Sequence, residues 1–300
     1  MNGFHLRKSE WYVDNVRLSD IAQSVGTPAY VYSQSHFEDR YLEVDRVYAR
    51  IPHLVAYSLK ANANLSLVAS VARRGAGADV VSGGEIYKAR KAGVPASRII
   101  YAGVGKTDSE IRYALEEGIR YFNVESLPEL FAIDAQAGKM GAIAPVAIRF
   151  NPDVDALTHR HINTGKKESK FGISIADVDE VLSAVRRCSS VRFTGVHAHL
   201  GSQMTSVEPV RKAVSILEHL VQFLRREGMA ITTLNLGGGY GIDYRGERPP
   251  RAASWAARIL PTVRRLNAFL IVEPGRYISG NSGALLARVV YVKRSHSRTF

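Results

Sequence analysis

From about residue 53 onward, short β-rich runs alternate with longer amphipathic runs, and this alternation admits very few folds. The β-rich runs are His53–Lys60, Ala78–Ser82, Arg98–Gly103, Tyr121–Glu125, Pro145–Asn151, Arg192–Leu200, Thr233–Gly237 and Phe269–Glu273. Between them lie runs such as Asn64–Arg74, Asp108–Glu117 and Val207–Arg226, with apolar residues at helical spacing. In the last of these, Val210, Val214, Leu217, Leu220, Val221 and Leu224 form one apolar stripe. Gly75, Gly93, Gly118 and Gly228 follow helical runs, where C-terminal caps belong. Eight such alternations predict an α/β chain folded as a parallel (β/α)8 TIM-type barrel. The competing arrangement is a Rossmann-like open sheet. The first strand run argues against it, because Lys60-Ala61-Asn62 follows instead of a Gly-rich fingerprint.

The barrel is expected over residues 36–276. Residues 1–35, with the β-like piece Ala29–Tyr32, and residues 277–300, with the apolar run Ala284–Lys293, fall outside it. Together they predict an incomplete β-domain made from the two chain ends. A long loop, Pro152–Phe171, carries His159, His161, Lys166, Lys167 and Lys170 and follows the fifth strand, where a lid over an active-site mouth belongs.

Composition narrows the setting. Apolar residues make up 46% of the 300, enough for a sizeable core. The single cysteine, Cys188, excludes an intramolecular disulfide framework and fits a reducing compartment. Met1–Asn15 has no apolar run of the kind a signal peptide or anchor needs, and no stretch reaches the roughly 18–20 apolar residues of a membrane span. A cytoplasmic protein is expected. The net charge of +12 raises the question of an acidic partner such as nucleic acid. The basic residues argue otherwise: they are scattered as pairs such as Arg73-Arg74, Arg186-Arg187, Arg225-Arg226 and Arg264-Arg265, each near a predicted helix end, where cations complement the dipole.

In a parallel barrel, functional residues gather at the C-terminal ends of the strands. The first strand run ends on Lys60, where desolvation lowers the amine's pKa and frees it for imine formation; a snorkelling rim lysine is the structural alternative. The sixth ends in His197-Ala198-His199-Leu200-Gly201-Ser202-Gln203, with both histidines on one face by strand periodicity. No carboxylate or cysteine set accompanies them, so a ring stacked on a flat cofactor fits better than a metal pair, and Gly201 and Ser202 suit a phosphate. The seventh ends in Gly237-Gly238-Gly239, which lets backbone N–H groups approach an anion or simply makes a tight turn. The eighth ends in Glu273-Pro274-Gly275-Arg276: a carboxylate for a protonated ring nitrogen and an arginine for a phosphate or carboxylate, or else a rim ion pair. Lysine, stacking ring, phosphate cradle and acidic ring partner are the parts of a pyridoxal 5'-phosphate site.

AYSLKANAN (56–64), ADVVSGGE (78–85), RFNPDVDALTH (149–159), TGKKESKFGI (164–173), GVHAHLGSQ (195–203), LNLGGGYGIDY (234–244) and EPGRYISGNSG (273–283) occur in this order. By these motifs the chain resembles the diaminopimelate decarboxylase family, of the alanine-racemase-like fold of pyridoxal phosphate enzymes. The resemblance implies that Lys60 holds the cofactor aldehyde and that His199 stacks on its ring. It implies that Asp79 and Glu85 support the lysine and the cofactor edge. Ser202, Gly237, Gly238, Gly239, Gly275 and Arg276 would surround the phosphate, Pro274 would also bind the cofactor, Arg276 would also meet the substrate, and Glu273 would pair with the ring nitrogen. Alanine racemases of this fold place an arginine at that last position, so Glu273 favours decarboxylation over racemization. The implied reaction converts meso-2,6-diaminoheptanedioate to L-lysine and CO2 in a homodimer. Relatives acting on ornithine, arginine or carboxynorspermidine are the nearest alternatives.

The family's chains continue past the segment resembling Arg288–Phe300, with further β-domain strands and a Cys-Glu-Ser motif that reaches the partner subunit's site. Cys188, at a predicted helix end, cannot replace it. Ser297-Arg298-Thr299-Phe300 reads as mid-strand. The expectation is a fragment, the product of a split gene, or a chain without its substrate half, binding the cofactor and turning over poorly alone; a non-catalytic cofactor-binding protein is the alternative from another class.

Overall fold

In the computed structural model, which describes residues 3–152 and 171–300, the eight β-rich runs all form strands. They are β1 (His53–Ser58), β2 (Gly77–Val80), β3 (Ile99–Tyr101), β4 (Tyr121–Val124), β5 (Ala144–Asn151), β6 (Val191–His197), β7 (Thr233–Asn235) and β8 (Phe269–Val272). Neighbours in the order β5-β6-β7-β8-β1-β2-β3-β4 pair in parallel, and β4 pairs back onto β5, so the sheet closes on itself. The expected α/β barrel is present. The loop residues His159, His161, Lys166, Lys167 and Lys170 lie outside the described residues.

The surrounding helices are α1 (Gln34–Tyr48), α2 (Leu65–Ala72), α3 (Gly83–Lys91), α4 (Asp108–Glu117), α5 (Leu127–Lys139), α6 (Val178–Arg187), α7 (Glu208–Arg226) and α8 (Ala252–Leu266). Local chemistry starts them where it should. The side chains of Asn64, Ser82 and Ser126 accept backbone N–H groups at the starts of α2, α3 and α5, and Thr107 with Glu110 forms a capping box on α4. Gly118 closes α4 in the left-handed conformation that favours glycine. Arg186-Arg187, Arg225-Arg226 and Arg264-Arg265 fall in the last turns of α6, α7 and α8. Among the described residues no helix is long and apolar enough to cross a membrane.

The eighth place in the helical ring is filled from before the first strand. Helix α1 packs against α8, α2 and β1. It also fixes the turn after β7: the Tyr48 and Tyr240 hydroxyls are 2.9 Å apart, and Tyr240 stacks on Trp255 of α8 with ring centres 4.1 Å apart.

The chain ends meet outside the barrel, where Ala29–Tyr32 pairs antiparallel with Gly283–Leu286. The expected strand Ala284–Lys293 stops at Leu286. Beyond it Val289, Val290, Tyr291 and Val292 are exposed, with no paired strand among the described residues to cover them. Ser297–Phe300 is not mid-strand either: Arg294–Ser295 and Arg298–Thr299 close a short hairpin.

Inside the barrel the two-residue period of the strands sets a vertical gradient. Leu54, Ala56, Ile100, Tyr121, Ala147 and Ile271 form a closed apolar cluster. One inward step further along the strands stand Ser58, Asp79, Asn123, Arg149, His197 and Asn235, all buried. Buried polar groups persist only when paired, so this upper layer has to be a hydrogen-bonded network. Truncating the lower layer tests the gradient. Ile100→Ala is expected to cost about 2–5 kcal/mol, seen as a lower urea midpoint. Val25→Ala, at an exposed position, should move stability by no more than about 0.5 kcal/mol.

Candidate active site

Strand β1 ends at Ser58, so Lys60 is not a strand residue. It sits in a single 3-10 turn, Leu59–Ala61, directly above the polar layer. Its Nζ lies 3.1 Å from Asp79 Oδ2, and Asp79 is fully buried at the end of β2. The Ser58 hydroxyl donates to that same oxygen. About half (49%) of the Lys60 side-chain surface is open to the cavity above. The expected lowering of the amine's pKa is corrected here. The Asp79 charge comes first and outweighs burial, and Glu273 adds to it, so the Lys60 pKa is raised. Burial, with the Glu273 charge, pushes the Asp79 carboxyl up in turn.

Glu273 is the first residue after β8 and continues the inward phase of Phe269 and Ile271. Its Oε1 accepts from Asn235 Nδ2 at 2.6 Å and Asn123 Nδ2 at 3.1 Å, and its Oε2 lies 3.5 Å from His197 Nε2. Burial alone would raise this carboxyl. His197, Lys60 and the Asn235 amide outweigh it and hold Glu273 below the usual carboxylate range, so it stands as an anion at the cavity floor.

His199 follows β6. The Gly238 N–H donates to its Nδ1 at 3.1 Å, which leaves the ring proton on Nε2. Burial, assisted by the charges of Arg149 and Lys60, pushes the imidazole well below its ordinary range. A neutral ring held from behind by a backbone donor is suited to stacking.

The glycine turn divides its work. Gly237 N–H donates to Asn235 Oδ1 at 2.9 Å and Gly238 N–H to His199, so neither is directed at an anion; of the three, Gly239 lines the cavity. A Cβ on Gly238 would come within 2.5 Å of the Glu273 carbonyl oxygen, and one on Gly239 within 2.8 Å of the Gly201 carbonyl oxygen. Pro274 accepts from Ser58 N–H at 3.3 Å, joining the ends of β8 and β1. Arg276 Nη1 donates to the Tyr244 hydroxyl at 2.5 Å, and among the described residues its Nε is buried without a partner and it makes no ion pair. Its charge is therefore available to an anion. Glu85 stands apart: its carboxylate accepts Val81 N–H at 2.9 Å, and it lines neither lobe of the cavity.

The mouth has two lobes of about 240 and 230 Å³. Lys60, His199, Ser202 and Glu273 line both; Gly239, Gly275 and Arg276 close one, and Glu125, Arg149 and His197 close the other. Sequence reasoning missed Ser58, Asn123, Glu125, Arg149 and Asn235. The Arg149 Nη1 donates to both Glu125 oxygens, at 2.8 and 3.0 Å. Each of these five stands in inward phase near the end of a strand run, a signal the sequence contains.

An amine, a neutral ring, an anion at the floor, and an unpaired arginine beside glycines that tolerate no Cβ fit pyridoxal phosphate. Fold and site together define a pyridoxal-phosphate barrel. Residues 34–280 match the family profile described as pyridoxal-dependent decarboxylase, pyridoxal binding domain. The chain is 42% identical over 300 residues to the diaminopimelate decarboxylase of Pseudomonas aeruginosa, covering 100% of this chain and 72% of that protein. It is 40% identical over 295 residues to that of Aquifex aeolicus, covering 98% and 70%. Among solved structures, the diaminopimelate decarboxylase of M. jannaschii in co-complex with L-lysine superposes with a TM-score of 0.93 at 34% identity, covering 100% of this chain and 73% of that one. The chain belongs to the diaminopimelate decarboxylase family of pyridoxal-dependent decarboxylases.

Gly238→Ala checks the turn. The added methyl meets backbone, not a flexible side chain, and has to displace either the Glu273 carbonyl or the turn that orients His199. Cofactor affinity, from titration of the visible absorbance, is expected to fall about tenfold or more while circular dichroism keeps the barrel signal.

Proposed function

We propose that this chain decarboxylates meso-2,6-diaminoheptanedioate to L-lysine and CO2, acting as a homodimer. The observation that carries the reading is Glu273: an anionic carboxylate clamped by two asparagine amides at the floor of the cavity that Lys60 and His199 line. The substrate is supported by the Pseudomonas aeruginosa and Aquifex aeolicus relatives and by the L-lysine in the M. jannaschii structure.

Lys60 would hold the cofactor's aldehyde carbon, His199 would lie on the ring face, and Glu273 would pair with the ring nitrogen. Ser202, Gly239, Gly275 and Arg276 would hold the phosphate. When bound, pyridoxal phosphate supplies a sink for the electrons left behind as the α-carboxylate departs. Glu273 would keep a proton on the ring nitrogen, because its own affinity for that proton is low and its position is fixed by Asn123 and Asn235. Lys60 moves protons at Nζ, with Asp79 as the fixed counter-charge 3.1 Å away. Being neutral, His199 would cover the ring face without adding a charge that opposes ring protonation. Arg149, held by Glu125, supplies a fixed cation to the second lobe.

Two substitutions test this. Lys60→Ala should abolish both the visible band that appears on adding pyridoxal phosphate and CO2 release from diaminopimelate; a variant keeping both sinks the assignment. Glu273→Gln should retain the cofactor yet slow CO2 release on the order of 10²-fold or more, with a smaller change in KM. An unchanged rate would remove Glu273 from the mechanism.

A further inference from the structure

Ser58 has no part in the function just described, yet its hydroxyl sits inside the site. The residue is 2% exposed and Asp79 is 0% exposed. Barrel register sets the two side by side: Ser58 is the direct partner of Asp79 across the β1–β2 pair, and it continues the inward phase of Leu54 and Ala56. Its N–H is committed to the Pro274 carbonyl, so its backbone cannot drift. Packing does not call for a hydroxyl here. Ala56 fills the preceding inward position of the same strand, and burying an O–H without a purpose costs stability.

The hydroxyl has one observed bond, to Asp79 Oδ2. That oxygen is also the one 3.1 Å from Lys60 Nζ, while Oδ1 has no partner among the described residues. A single carboxylate oxygen therefore accepts from the serine and the lysine together. A hydroxyl donor stabilises the carboxylate charge and occupies part of the oxygen that would otherwise serve the ammonium alone. It also fixes which oxygen faces the lysine. Other charges reach Lys60 from the surrounding elements: Glu273 after β8 favours the ammonium, Arg149 on β5 opposes it, Glu85 on α3 is within electrostatic reach, and His199 after β6 is neutral. Among these groups Asp79 is the one in hydrogen-bond contact, and Ser58 is the one that moderates it.

We propose that Ser58 is a positioning residue that orients Asp79 and limits its hold on the Lys60 proton, so setting the pH at which the lysine amine becomes free to react with an aldehyde. The inference rests on Lys60 being the cofactor lysine. In the step at stake, Nζ releases its proton to solvent, its lone pair forms the bond to the aldehyde carbon, and the aldehyde oxygen leaves as water.

The test uses the full 300-residue chain without cofactor. Reductive methylation by formaldehyde and cyanoborohydride is followed at Lys60 by peptide mass spectrometry, relative to Lys91, from about pH 6 to 10. In Ser58→Ala the Lys60 rate is expected to fall about 3- to 10-fold throughout this range, which lies below its midpoint; that fall corresponds to a midpoint higher by roughly 0.5–1 pH unit. Ser58→Cys, a weaker donor of similar shape, should slow it less. On an Asp79→Asn background, Ser58→Ala should add no slowing. Unchanged rates in both serine variants, or an equal slowing with and without the Asp79 charge, overturn the proposal. Should Ser58→Ala fail to fold by circular dichroism, Ser58→Cys on the two backgrounds decides the matter. A separate arm adds pyridoxal phosphate to the wild-type chain: absence of a visible band there removes the cofactor reading, whatever the serine variants do.

Discussion

A closed parallel barrel has room inside for only every second residue of each strand, and the chemistry of the mouth depends on that constraint. Along β1 the inward positions are Leu54, Ala56 and Ser58; along β8, with the residue after it, they are Phe269, Ile271 and Glu273. In both the change from apolar to polar comes at the third inward position. The lower layer seals the barrel floor against water. The upper layer then sits where each charge or hydrogen bond acts in a low dielectric, and where each unpaired polar atom is costly. No single strand could do this. Glu273 takes its amide donors from β4 and β7 and its histidine from β6, three strands that come together only because the sheet closes.

Buried ion pairs extend the network away from the cavity. Lys106 Nζ donates to Glu129 at 2.6 Å and to the carbonyls of Gly103 and Asn123. Glu129 in turn accepts the Glu125 N–H at 3.0 Å, and Glu125 holds Arg149 and the Gly103 and Gly172 N–H groups. Burial lowers the Lys106 pKa and raises that of Glu129, so each partner draws its charge from the other. Such pairs are poor contributors to net stability but strongly penalise rearrangement, because breaking one strands a charge. Their effect is to lock the ends of β3, β4 and β5 at fixed heights and so hold Arg149 in the wall of the second lobe.

The barrel was legible because its two periods are plain in the sequence: short β-branched runs, then helical stripes, then glycines. All eight strand runs contain the observed strands to within a residue or so. What was not legible followed from relations between strands. Lys60 reads as a strand residue until the 3-10 turn is seen, since an apolar run does not mark where extension ends. Its lowered amine was inferred from burial alone, because the partner that reverses the shift, Asp79, lies 19 residues away and is brought beside it only by the β1–β2 register. The glycine turn read as an anion cradle because glycines announce close approach but not what approaches. Two of the three N–H groups go to Asn235 and His199. Asn123, Arg149 and Asn235 were hidden inside runs scored as strand, although their inward phase was there to be counted. At Ala284–Lys293 the β-rich composition was real, but a strand needs a partner, and pairing ends at Leu286.

The site also shows how three kinds of ionisable side chain can be driven apart within one small cavity. Burial by itself would neutralise them all: it raises carboxyls and lowers histidine and lysine. Of Lys60, Glu273 and His199 only His199 follows that rule, because the charges of Arg149 and Lys60 act on it in the same sense as burial. Glu273 departs from it because amides and a histidine surround it, and Lys60 departs from it because Asp79 does not let go. The arrangement therefore favours a cationic lysine and an anionic floor, which a ring nitrogen can share, at the expense of a ready nucleophile. A lysine meant to attack an aldehyde then needs something to weaken its counter-charge without removing it. A neutral hydroxyl on the shared carboxylate oxygen is the mildest means available, and β1 delivers one to that position through its register alone.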